Sequence, residues 1–454
     1  MPNKSGFPHL VFRGAAIALM GCSVLALSAC GHGGKGKRPK STTPVIGNRA
    51  SILGSNQVVK VDDTISVVPV TLPAPVNNTD WAQPGGDSSK AMGNVALGET
   101  LHQAWSAAIS GGGKRARLAS SPVISGGKLY IIDTDATVNA FDAASGRKLW
   151  TASVADKDSK SSGAEFGGGV AVGGDRLYVT TGVGDVAALN ASDGKQIWKK
   201  RPGGPLRGSG TVANGHVYVM SQDNQIFALN QEDGVVAWQE SGTVQSTNIF
   251  GVAAPAAAQG TVIAGFSSGE LTAYRYENGR VLWGDALSRT SISTTVAALT
   301  DIDADPVIDR GRVFAIGQGG RMASYELVSG QRLWEISIAG VATPAISGDW
   351  VFVVTDHGRL LCVERASGKI RWISQLKEFH NQKKKMGSVR WHGPLLAGSR
   401  LILVSTDGDM VEVDPTNGSI KAEKDMKDSM SLAPVAAGGI LYILTDSGRL
   451  VAYR

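Results

Sequence analysis

A chain of 454 residues with 42% hydrophobic side chains is long enough to bury a large core. Its net charge of +6 is spread over both signs along the whole length, which leaves no nucleic-acid footprint. The 58 glycines call for many tight turns, and three cysteines are too few for a disulfide framework.

Taken in order, residues 1–29 read as a signal peptide. Lys4 and Arg13 supply positive charge, and the apolar run from Gly14 to Ala26 is too short for a comfortable membrane span. It ends in Leu27-Ser28-Ala29-Cys30, which resembles the bacterial lipobox. That resemblance implies lipidation of Cys30; an ordinary signal peptide with an incidental cysteine is the competing reading, and Cys22 is a rival site. Gly31 follows Cys30 where no Asp stands, which by resemblance to enterobacterial lipoproteins implies the outer membrane. Residues 30–94 are rich in Gly, Lys, Ser, Thr, Pro and Asn in their first part and read as a mostly flexible tether. A small strand is expected near Val58–Val61 or Ile65–Val70, and contact with the next domain is expected to begin at Asp80–Gly86.

Residues 95–454 carry a repeat. One copy ends Ala140-Phe141-Asp142-Ala143-Ala144-Ser145-Gly146-Arg147-Lys148-Leu149-Trp150, and five more place a Trp four residues after a Gly: Trp198, Trp238, Trp283, Trp334 and Trp372. Successive Trp are 48, 40, 45, 51 and 38 residues apart. Within a copy, four short apolar runs alternate with Gly/Asp/Asn turns, the pattern of antiparallel strands. Four strands in about 45 residues predict a β-propeller blade. A seventh copy has Ala422 at the Trp position, and an eighth stops at Tyr453, one strand short. His102-Gln103-Ala104-Trp105 is the missing strand, since Trp105 lies 45 residues before Trp150. The fold class is therefore all-β: an eight-bladed propeller of four-stranded antiparallel blades, closed by an N-terminal strand. Closure removes the open sheet edges. The seven Trp, from Trp105 to Trp372, are expected to wedge between blades rather than to bind a ligand. Cys362 falls on the small position before the blade turn and reads as buried and inert.

Residues suited to chemistry are sparse. The seven His show no metal-ligand spacing. Asp301-Ile302-Asp303-Ala304-Asp305 resembles the start of a calcium loop but has Pro306 at the sixth place and Arg312 at the twelfth. Lys383-Lys384-Lys385 reads as a solvated face, with an acidic partner or a lipid headgroup as the alternative.

The blade signature of an apolar pair, Asp or Asn, Gly and Trp resembles the quinoprotein-type propeller repeat. Two families share it. Pyrroloquinoline-quinone dehydrogenases are longer, usually with adjacent cysteines beside the cofactor and a calcium set of Glu, Asn and Asp; residues 30–454 have neither pattern. Lipobox, tether and a single eight-bladed domain are instead similar to the BamB lipoproteins of the outer-membrane β-barrel assembly machinery. That resemblance implies a scaffold without catalysis or cofactor, lipid-anchored on the periplasmic face of the outer membrane. Its implied partners are BamA, other barrel-assembly subunits and nascent outer-membrane proteins, with strand pairing along blade edges as the mode expected for the last. Pro205-Leu206-Arg207-Gly208-Ser209 and Leu299-Thr300-Asp301-Ile302-Asp303-Ala304-Asp305-Pro306 are similar to two family loops that contact BamA. Leu206, Arg207, Asp301 and Asp303 carry the implied contact, while a second family Leu falls on Gly204. Each loop follows the last strand of a blade and precedes the innermost strand of the next, so both emerge on one face near the axis. The competing reading pairs Arg207 with these acids inside the monomer.

Overall fold

The computed structural model describes residues 59–113, 117–155, 167–243, 251–287 and 300–454. The expected signal peptide and Cys30 lie outside the described residues. Among those described, every regular element is a strand. Blade 1 shows the pattern: Val123–Ser125, Lys128–Ile132, Thr137–Asp142 and Lys148–Ser153 pair in order as an antiparallel sheet. Blades 2 to 7 repeat it over 168–200, 211–241, 256–286, 307–336, 345–375 and 391–425. Blade 8 joins Val435–Ala437, Ile440–Leu444 and Arg449–Tyr453 to the N-terminal strand Gln103–Ala108, with Trp105 opposite Ala452. Mutual hydrogen bonds between the backbones of His102 and Arg454 finish the closure.

The repeated Trp face a small residue across the ladder: Ala140 for Trp150, Ala188 for Trp198, Cys362 for Trp372. Each slides under the turn of the following blade. Gly330, at φ +71°, lies over Trp283, where an added Cβ would come 2.4 Å from the ring. Gly146 stands in the same relation to Trp105, and Gly418 to Trp372. The Gly and Trp of one motif therefore serve opposite seams: the Gly covers the preceding blade's Trp, and the Trp enters the next blade. Positive φ and a ring in van der Waals contact both exclude a side chain there. The indole N–H of Trp105, Trp198, Trp238, Trp283, Trp334 and Trp372 donates to a backbone carbonyl of the next blade, 2.8–3.1 Å away. Tyr178 and Tyr442 lie beside Trp198 and Trp105 and donate to the same carbonyls, of Gln231 and Ala143. Buried aromatic area and satisfied donors together join the blades.

The segment expected to be tether through residue 94 is corrected by the structure: its described part lies on the ring. Asp62 N–H donates to the Ile370 carbonyl at the outer strand of blade 6, and Ile65 and Val70 are buried. Among the described residues no strand forms there; residues 63–67 turn. The chain then circles the mouth of the axial channel. Asn78 bonds Ala436 and Gly438 of blade 8, Trp81 pairs with Ile124 of blade 1, and Ala82 accepts from Val172 of blade 2. Gln83 bonds Val212 of blade 3; Ser88 and Ser89 accept from Ala257 and Ile308 of blades 4 and 5. Val95 bonds Leu396 of blade 7, and Leu97 bridges Gly439 of blade 8. This strap satisfies donors and acceptors that the innermost strands would leave open at the axis.

Candidate partner-docking site

The connection from blade 2 to blade 3 holds Leu206 and Arg207. Leu206 bridges Ser221 and packs, fully buried, with Trp198 and Phe227. Gly208 follows because an added Cβ would lie 1.9 Å from the Val252 carbonyl of the next connection. Arg207 is fixed from its backbone outward: its N–H donates to Met220 and its carbonyl accepts from Gly168.

The Arg207 side chain turns inward with no exposure to solvent. Its Nη1 donates to the Gly265 carbonyl at 3.0 Å. Its Nη2 reaches Asp301 Oδ1 at 2.7 Å, Asp303 Oδ1 at 3.1 Å and the Ile302 carbonyl at 3.3 Å. Asp301 and Asp303 come from the connection between blades 4 and 5, itself held by Ile302 N–H to Phe266 and Thr300 Oγ1 to Ser267. Gln318 donates to Asp303 Oδ2 and to the Asp301 carbonyl. Gly251 covers the cluster: an added Cβ would lie 1.9 Å from Arg207 Nη2. Burial, then the Asp301 charge, raises the Asp303 carboxyl to about 6, with Arg207 opposing. One buried guanidinium thus ties two loops 94 residues apart. Removing it would strand two acids, the costly way to break a buried ion pair.

The sequence places all four residues on one face, and the structure brings them together. They meet as the competing reading has it, with Arg207 paired to both acids inside the monomer: Leu206, Arg207 and Asp301 are buried, and the Asp303 side chain is 10% exposed. Such side chains set loop position. The surface above them is built by Pro205, Asp223 and Val252, the last 40% exposed. No repeat or motif marks Val252, Gly251 or Gln318, so sequence reasoning passes over them. The acids of the calcium-like run point to protein donors: Asp301 and Asp303 to Arg207, Asp305 to the Ala254 N–H.

Behind this site, beneath the strap, lies a partly open cavity of about 190 Å³, bordered by Trp81, Lys90, Ser120, Asp303, Asp305 and His392. Lys90 donates to Thr211 Oγ1, and burial lowers its ammonium to about 8 against the pull of Asp305 and Asp87. Burial lowers His392 to about 4 and raises Asp305. Cys362 is buried in blade 6, and burial raises its thiol well above the ordinary range.

The family model described as outer membrane protein assembly factor BamB matches residues 94–167 and 134–374. The factor of that name from Alkalilimnicola ehrlichii is 31% identical over 364 residues, covering 80% of this chain and 91% of that protein. The crystal structure of BamB from Moraxella catarrhalis superposes with a TM-score of 0.66 at 17% identity, over 78% of this chain and all of that one. Quinohemoprotein alcohol dehydrogenase from Comamonas testosteroni gives 0.65 at 13% identity, over 83% and 80%, a likeness of fold alone.

Proposed function

Because the chain belongs to the BamB family of outer membrane protein assembly factors, we propose that it is a non-catalytic scaffold of the barrel-assembly complex, held at the periplasmic face of the outer membrane by lipid on Cys30. It docks on BamA and helps nascent outer-membrane proteins reach their insertion site. The dehydrogenase alternative has only the shared propeller in its favour.

The observation that carries the docking reading is the Arg207 tie. It fixes two loops that resemble the family's BamA-contacting loops into one surface around Pro205 and Val252. A rigid apolar spot with a charged rim suits a contact hot spot. Arg207, Asp301 and Asp303 are positioning residues in this arrangement, and Val252 makes the contact.

Co-purification from detergent-solubilised membranes tests this. Wild type is expected to recover BamA, and Val252→Asp to lose at least about 1.4 kcal/mol of affinity, tenfold, with an unchanged melting curve. Absence of BamA from the wild-type eluate overturns the partner, and full recovery with Val252→Asp overturns the surface.

A further inference from the structure

The connection from blade 6 to blade 7 differs from its neighbours in forming a hairpin, Phe379–Asn381 paired with Met386–Ser388. Its base is pinned. The Val389 N–H donates to Glu378, the Trp391 indole donates to the Lys377 carbonyl, and Lys377 and His380 both pair with Asp407. Its tip is free. Residues 381–388 are all exposed, and Lys383, Lys384 and Lys385 have no carboxylate within ion-pair distance among the described residues. Met386, 63% exposed, stands beside them.

A second observation concerns where the N-terminal segment arrives. Asp62 and Val68 are held on the outer strand of blade 6, Ile370–Gln375, through the Ile370 carbonyl and Arg371 Nε. The hairpin is the connection that leaves this same strand. Only 28 residues separate Cys30 from Val59, at most about 100 Å of extended chain.

We propose that the hairpin tip rests on an anionic phospholipid surface and turns the blade 6–7 edge of the ring toward the membrane. The inference rests on the lipid-anchor reading of Cys30. Three unpaired ammonium groups on long stems beside one exposed thioether suit a headgroup layer, where the charges meet phosphates and the Met side chain enters the acyl boundary. Each lysine near such a surface improves contact about fivefold, so the three together contribute on the order of a hundredfold. Acyl chains hold the protein at the membrane in any case; the hairpin selects the edge that faces it.

The test uses the full lipidated chain in vesicles containing brominated lipid. A fluorophore is placed at Met386→Cys or, as a control on blade 2, at Lys195→Cys, whose native side chain is 86% exposed. Cys362 is buried and does not label. In phosphatidylglycerol–phosphatidylethanolamine vesicles the probe at 386 is expected to be quenched and the probe at 195 not. Lys383→Glu, Lys384→Glu and Lys385→Glu together should cut the contact about a hundredfold or more, and 1 M salt should reverse it. Equal quenching at both positions, or in pure phosphatidylcholine, overturns the proposal. So does shielding of position 386 only when BamA is added, the outcome of an acidic protein partner. Protein that lacks acyl mass and does not float with vesicles removes the anchor reading, and the proposal with it.

Discussion

Seven of the eight blade seams are closed by one device and the eighth by another. From Trp105 under Gly146 round to Trp372 under Gly418, an aromatic ring slots beneath a glycine of the next blade. Between blades 7 and 8 the Trp position holds Ala422, opposite Glu412 instead of a small residue. Arg400 pairs with Glu412 at 3.0 Å and donates to the carbonyls of Gly98 and Glu99, just ahead of the closing strand. Lys424 covers the Tyr453 ring at 4.2 Å, and the Tyr453 hydroxyl reaches Met426. The reason is topological. Every other receiving turn is continuous chain, whereas in blade 8 that turn is the junction of residues 102 and 454, where no glycine turn exists to cover a ring. A polar clamp on the arriving segment replaces the slot.

This contrast is best broken at a slot. Trp283→Ala should cost about 3–5 kcal/mol, since it empties a buried ring site, loses the contact with Tyr325 and orphans the Leu327 carbonyl. Urea denaturation measures it, and a loss below about 1 kcal/mol would show the slots to be dispensable. From the other side of the same seam, Gly330→Ala should cost about 2–4 kcal/mol through positive φ and collision with Trp283. Gly438→Ala, at φ +60° with open space around the added methyl, should cost about 1 kcal/mol. Equal shifts in the two melts would mean that backbone conformation alone fixes the glycine. The smallest effect belongs to the clamp. Arg400→Ala should cost about 1–3 kcal/mol by leaving Glu412, with its side chain 12% exposed, unpaired. Hydrogen exchange should then accelerate in Gln103–Ala108 and not in blades 2 to 5. Uniform acceleration would make the closure no weaker than the rest of the ring.

The ring was legible because every blade repeats the same solution. Trp105 opposite Ala452, Ala422 at an empty Trp position and Cys362 in a small buried site all follow from the register of one motif. The strap was legible only at Asp80–Gly86, where contact with the ring was expected to begin and where Trp81, Ala82 and Gln83 make it. Its contacts are mainly backbone hydrogen bonds to the strands of seven different blades, which many side chains permit, so residues 78–97 carry no repeat of their own. The candidate site was legible in part. Motif likeness located the two loops, and strand order put them on one face.

What the sequence by itself determined is the architecture: spacing of Gly and Trp sets blade number, strand order and closure, because a local turn and a local pair of strands recur at a fixed period. What only the tertiary structure decided is the direction of Arg207. A Leu-Arg-Gly loop can offer its guanidinium to water or to the protein. The choice follows from Gly251 crossing above and from Asp301 and Asp303 arriving from a connection 94 residues away. Burial of a charge depends on neighbours distant in the chain, and no local pattern encodes them.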